Sequence, residues 1–294
     1  MTAARRPAPW RPLTSTRYQL AEGARWTADG RLLFVDLLRG DLYRCRAPST
    51  GVRRLLSLGV PLGAVAPAAD AGAGWIAAAG DGIALCTTAG RVHWLARPAA
   101  VRGRVMRMND GVCDPAGRFW AGSMEAGAAD GAGSLFRTDP DGSVQQVLDG
   151  LTVPNGPAFT ADGKRLYLAD SARGTITRHT VDPATGALAG SEPFVRLAPR
   201  EGRPDGMTVD DDANLWVALW GSGQVRCYAP DGRVLRIVAV PTAHPSSVAF
   251  GGGLMFVTTA RHRLRRPGPW AGAVLARTST VTAPPACAYT ADGL

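Results

Sequence analysis

TVPNGPAFTADGKRLYLADS, residues 152–171, decides the fold. Its second half reads plainly. Ala161-Asp162-Gly163-Lys164 is a turn, because Asp and Gly accept turn backbone geometry, and Arg165-Leu166-Tyr167-Leu168-Ala169 is a strand. The first half is less ordinary. Asn155 stands between Pro154 and Gly156, directly before the apolar Ala158-Phe159. A single Pro-Asn-Gly is turn chemistry, since Asn caps its own backbone and tolerates left-handed geometry. What matters is whether the chain repeats it.

It does. Strand-like runs recur at Arg31–Asp36, Gly74–Ala78, Arg118–Gly122, Arg165–Ala169, Asn214–Ala218 and Leu254–Thr258. A second strand often follows closely, as at Gly40–Arg44, Gly133–Arg137, Gly174–Arg178 and Gly223–Cys227. Turns such as Pro140-Asp141-Gly142 and Pro230-Asp231-Gly232 come next. Sustained 3.6-residue apolar periodicity is almost absent, so few helices are expected. Aligned on these turns, Glu22 lies eight residues before Gly30, Asn109 eight before Gly117, Asn155 eight before Gly163 and Asp205 eight before Ala213. Leu62 and Ser246 begin two weaker copies, and the six starting points are spaced by 40 to 50 residues. Six units of about four short strands predict an all-β, six-bladed β-propeller. Residues 1–12 are expected to form a flexible segment and residues 13–294 a single propeller domain. Ser15–Leu20 is expected to close the ring by pairing with Ala271–Arg277.

Bulk properties narrow the function. The chain has 294 residues, 46% of them hydrophobic and 19% charged, enough for a large core. Its net charge of +9 invites a nucleic-acid reading. Against it, the arginines are scattered and form no basic helix or aromatic-interleaved stripe, so no nucleic-acid partner is expected. Lys164 is the single lysine and sits in a turn, which disfavours Schiff-base chemistry. The five cysteines, at 45, 86, 113, 227 and 287, form no CxxC motif, which argues against a thiolate zinc site and fits a reducing compartment. Met1–Pro12 lacks the apolar run of a secretory leader, and no segment approaches a membrane span in length. A cytoplasmic protein without a membrane partner, a monomer or weak homodimer, is the expectation.

Equivalent positions of a propeller lie on a ring around its axis. The ring here holds Glu22, Leu62, Asn109, Asn155, Asp205 and Ser246. Four of the six carry carboxylate or amide oxygens, the donors a hard divalent cation prefers. Asn and Asp before Gly could be turn residues alone, but Glu22 is not favoured by turn geometry, and the shared register favours the metal reading. The four histidines, at 93, 179, 244 and 262, show no ligand spacing, although His244-Pro245-Ser246 approaches the ring.

Leu20-Ala-Glu22-Gly23, Arg107-Met-Asn109-Asp110-Gly111 with Asp114–Met124, Pro154-Asn155-Gly156 with Leu166–Asp170, and Pro204-Asp205-Gly206-Met207 with Asn214–Ala218 resemble the SMP-30/gluconolactonase/luciferin-regenerating-enzyme family over roughly residues 16–278. The resemblance implies one catalytic divalent cation (calcium, zinc, manganese or magnesium) in the axial channel. It implies Glu22, Asn155 and Asp205 as metal ligands, with Asn109 joining directly, through water, or by holding substrate. It further implies Arg107 as a substrate contact and Asp205 as general base. Two departures stand out. Val112 occupies a position where many members carry Lys, and Glu125 directly follows Met124 where some lactone hydrolases place an acidic residue a little later. Glu125 is nevertheless taken as a substrate-binding candidate. Metal-dependent hydrolysis of a small lactone is the leading expectation. A propeller enzyme of secondary metabolism (cyclase, isomerase or phosphoester hydrolase) and a non-enzymatic calcium-binding propeller are the alternatives.

Overall fold

The computed structural model describes residues 9–47, 51–69 and 74–291. Six four-stranded antiparallel sheets follow one another along the chain, with two three-residue 3-10 turns, Leu37–Arg39 and Pro199–Glu201, between strands. Five sheets run strictly in sequence order from first strand to fourth. The first strands are Ala21–Trp26, Leu62–Pro67, Met106–Cys113, Pro154–Phe159, Arg203–Val209 and Pro245–Gly251, one in each of blades one to six. They are almost wholly buried, whereas fourth strands such as Val234–Ala239 are largely exposed. Burial therefore falls from the axis outward. This is the six-bladed propeller expected from the repeat, with blade starts at the expected positions.

Among the described residues, six apolar clusters hold it together, each between two consecutive blades. Leu33, Val35, Leu62 and Val65 join blades one and two. Trp120, Leu135, Leu166 and Leu168 join blades three and four, and Tyr167, Ala169, Val217 and Leu219 join four and five. A sheet buried on both faces needs apolar side chains on both, which is why second strands such as Leu-Leu-Phe-Val and Leu-Trp-Val-Ala read as continuous apolar runs. Turn acids fix the second strands. Asp114 Oδ2 accepts hydrogen bonds from Trp120 Nε1 at 3.0 Å and Arg118 Nε at 2.7 Å, and Asp210 Oδ2 accepts one from Trp216 Nε1 at 2.8 Å.

Ring closure differs from expectation in its N-terminal partner. Arg11 and Pro12, expected to precede the propeller, form the outermost strand of blade six, opposite Ala276 and Leu275. Leu13 N donates to Val274 O at 2.8 Å, and Trp10 Nε1 donates to Ala239 O at 2.7 Å. Ser15–Leu20 is not that strand. Thr14 Oγ1 donates to Thr16 O, and Arg17 Nη1 donates to the carbonyls of Thr14, Ser15 and Thr16, so local hydrogen bonds bend the segment out of the ladder. Pro12 lacks an N–H and is tolerated at a sheet edge.

A second departure lies after blade six. Residues 279–291 form a strap across the mouth at which the inner strands end. Asp211 N donates to Thr282 O, Ala286 N to Trp26 O, Tyr289 N to Pro67 O and Thr290 N to Gly117 O. The strap thus touches blades five, one, two and three in turn. Tyr289 is fully buried among Ala66, Ile76 and Phe119, and its hydroxyl donates to Asp139 O at 2.7 Å.

Candidate metal and active site

In all six inner strands the pairing register breaks at the ring position: between Glu22 and Arg25, Leu62 and Ala64, Met108 and Gly111, Asn155 and Ala158, Pro204 and Met207, and Pro245 and Ser247. Such irregularities bend a strand and re-aim its side chains. The glycine that follows most ring residues has a packing reason. A Cβ on Gly156, whose φ is +51°, would lie 2.4 Å from Asp205 O, and one on Gly63 would lie 2.2 Å from Asn109 O. Neighbouring inner strands pack backbone against backbone, which brings the preceding side chains together.

Glu22, Asn109, Asn155 and Asp205 are all buried and line one cavity of about 960 Å³ at the mouth opposite the strap; Arg107 lines it too. Asn155 Nδ2 donates to Asp205 Oδ1 at 2.5 Å and to Ser171 Oγ at 3.3 Å, and Ser171 Oγ donates to Pro204 O at 2.5 Å. Arg107 Nη1 donates to Asn109 Oδ1 at 2.6 Å, while Asn109 Nδ2 donates to Pro154 O at 2.9 Å. Beside the ring, Arg25 of blade one reaches Asp110 of blade three at 3.1 Å. Asp110 also accepts hydrogen bonds from the backbone amides of Gly111 and Gly156.

The electrostatics are unbalanced. Burial pushes the Glu22 carboxyl well above its ordinary range, and the neighbouring charges of Asp205 and Asp110 push it further. Asp205 is raised by burial first and by Asp110 second, against hydrogen bonds from Gly206 and Asn155. Burial lowers the Arg107 guanidinium to about 10. Glu22 Oε2 is buried with no hydrogen-bond partner. Leaving such an oxygen unpaired costs about 1–3 kcal/mol, and more when it is charged.

A divalent cation fits this set. The donors are hard oxygens, one of them orphaned, and the local charge is negative. Among the described residues no three His, Cys, Asp or Glu side chains are gathered to hold a metal. The two amides are therefore essential to the set. The Asn155 amide turns its nitrogen toward Asp205; rotation about its last torsion exchanges nitrogen for oxygen.

Five of the six site residues expected from sequence thus share one cavity. Glu125 does not line it. Its Oε2 accepts hydrogen bonds from Gly127 N at 2.7 Å and Ala129 N at 3.2 Å, so it shapes its own loop. The remaining ring positions are structural: Leu62 is buried, and Ser246 Oγ donates to Ala21 O. His244 stacks on Trp220 with ring centroids 4.0 Å apart and lies behind the cavity wall. Sequence reasoning missed Ser171 and Asp110 as supports, although Asp110 lies inside a quoted motif and Ser171 directly follows one. It also missed Asp36 and Asp170, which hold the backbone leading into two inner strands. Asp36 accepts from Gln19 N and Leu20 N, and Asp170 from Thr152 N and Val153 N. Their recurrence at the ends of Leu-Phe-Val-Asp and Tyr-Leu-Ala-Asp was the available signal.

Fold and ring together define a class: six-bladed propellers that gather oxygen-bearing side chains from several blades at one channel mouth. Within it the chain belongs to the SMP-30/Gluconolactonase/LRE-like family, whose profile matches residues 20–261. It is 36% identical over 258 residues to a pentonolactonase of Haloferax volcanii, covering 84% of each chain. It is 32% identical over 262 residues to an L-arabinolactonase of Azospirillum brasilense, covering 85% of this chain and 83% of that one. Its structure superposes with a TM-score of 0.89 on the calcium-binding protein regucalcin of Agrobacterium tumefaciens, at 28% identity, covering 96% and 98% of the two chains.

Proposed function

We propose that the protein hydrolyses a small sugar-type lactone with one divalent cation in its ring. The observation that carries this reading is the orphaned, buried Glu22 Oε2 beside Asp205, Asn155 and Asn109 at a cavity large enough for a sugar. The lactonase names of two relatives over most of their length support the reaction class. Glu22, Asn155 and Asp205 would hold the cation, with Asn109 completing the set directly or through water. When bound, a divalent cation supplies Lewis acidity toward a carbonyl oxygen and acidifies nearby water. Asp205 takes a proton from the water that attacks the lactone carbonyl carbon. The new carbon–oxygen bond forms, the ring carbon–oxygen bond breaks, and the released ring oxygen is protonated. Arg107, held by Asn109 Oδ1 and Met108 O, orients the substrate with little conformational freedom left to lose. Asp110, paired with Arg25, supports the ring without touching substrate.

A panel of sugar and aliphatic lactones, assayed after loading with calcium, manganese, zinc or magnesium, tests the reading. Asp205→Asn should keep part of the cation affinity and lose most turnover, about 10²-fold or more. Full activity of Asp205→Asn on a proven substrate would remove Asp205 as the base. The calcium-binding description of the Agrobacterium neighbour favours a second reading, a calcium-binding propeller without turnover. Tight calcium binding with no hydrolysis across the panel would select it.

A further inference from the structure

The charged lining of the cavity divides by position. Glu22 and Asp205 are buried in the ring, and the only other acid of the lining, Asp81, pairs with Arg97. Every remaining charge is arginine. Arg107 is tied to Asn109, while Arg102, Arg104, Arg203 and Arg263 are exposed and make no ion pair among the described residues. They come from three separate places. Arg102 and Arg104 lie between blades two and three, Arg203 opens the inner strand of blade five, and Arg263 lies in the loop after Leu254–Thr259 of blade six. Scattered surface arginines would not need to converge on one opening from three places.

Backbone strain adds an independent sign. Only Ala128, Ala213 and Arg263 among the described non-glycine residues have positive φ, and two of these three line this cavity. Arg263, at φ +62°, is held in a left-handed conformation that an unbranched charged residue has no intrinsic reason to adopt. Strain of this kind concentrates where a side chain must be aimed.

We infer that the substrate carries an oxyanion of its own, remote from the lactone, and that Arg203 and Arg263 with Arg102 and Arg104 bind it at the mouth while the lactone lies at the ring. The chemical class is a lactone with a terminal carboxylate, sulfonate or phosphate. Arginine forks match such groups bidentately. A mouth whose unpaired charges are of one sign also concentrates ligands of the other. This inference rests on the lactonase reading for the reaction, though not for the binding.

Two measurements separate the two claims. In the first, glucono-lactone is compared with its 6-phosphate and with a glucaro-lactone, at low and high salt. The anionic lactones should show kcat/KM about 10- to 100-fold higher than the neutral one, a preference that shrinks with salt. The larger preference among phosphate and carboxylate identifies the tail. The double variant Arg203→Gln/Arg263→Gln should cut the anionic kcat/KM by more than tenfold, and by a larger factor than the neutral one. Arg53→Gln, on an outer strand far from the cavity, serves as control. In the second, calorimetry compares binding of glucarate, a dianion, with gluconate. If no lactone is hydrolysed but glucarate binds at least tenfold tighter and the double variant erases the difference, the lactonase reading falls and the oxyanion site stands. Equal binding of glucarate and gluconate, or a kcat/KM ratio at or below one, overturns the inference.

Discussion

Gly156 shows how much of the site is backbone geometry. Its absent Cβ is what lets the blade-four strand meet Asp205 O of blade five. Gly156→Ala would place a methyl 2.4 Å from that oxygen in a left-handed backbone. The expected cost is about 2–5 kcal/mol of stability, with calcium affinity reduced because Asn155 and Asp205 are pushed apart. Thermal melting and calcium titration of the variant check both. Asn155 itself was legible at this scale, because its register with Glu22, Asn109 and Asp205 survives in a single sequence. The role of Glu125 was not. Its carboxylate is satisfied by amides two and four residues onward, and nothing in Met124-Glu125-Ala126 announces that local turn. The four mouth arginines were visible only as scattered charge, since convergence of three distant segments is a property of three dimensions.

Among elements, the inner strands were readable and the strap was not. The inner strands repeat, and each precedes an Asp or Gly turn and an apolar second strand. Residues 279–291, Ser-Thr-Val-Thr-Ala-Pro-Pro-Ala-Cys-Ala-Tyr-Thr-Ala, have neither two-residue nor 3.6-residue apolar periodicity. Their order comes from hydrogen bonds donated to and accepted from four different blades. Tyr289 anchors them, so Tyr289→Ala should cost about 3–5 kcal/mol through the cavity it leaves. Cation affinity should change little, because the strap and the ring lie at opposite ends of the channel. A lower melting temperature with an unchanged calcium titration is the expected pair of results; an unchanged melting temperature would show that the strap is dispensable. The closing strand was half legible: its partner, Val274–Thr278, lies within the expected Ala271–Arg277 but for its last residue, while the Ser/Thr-rich bend moved the N-terminal contribution to Arg11–Pro12.

For the whole molecule, the ring of acids couples folding to proton concentration and, as the proposed cation site, should couple it to cation concentration. Folded and free of cation, the protein keeps protons on Glu22 and Asp205 at pH values where the unfolded chain has released them. Stability therefore falls as pH rises from the ordinary values of 4.5 and 3.8 toward the raised folded ones. With a chelator present, the melting temperature should fall as the pH rises above about 5. Saturating calcium should flatten that slope and raise the melting temperature most at the upper end. A melting curve independent of pH in chelator would contradict the unbalanced charge of the ring.

Blade six also sets a schedule for biosynthesis. Arg11 and its strand partner Ala276 are separated in the chain by almost the whole propeller. At about 5–20 residues per second, the interval is on the order of tens of seconds. Throughout it the nascent chain holds a broken circle, with the edge of an outer strand and an apolar sheet face unpartnered. Closure is therefore a late event: the circle can be completed only after the last strand of blade six has been made, and until then its open flank is a natural client for chaperones.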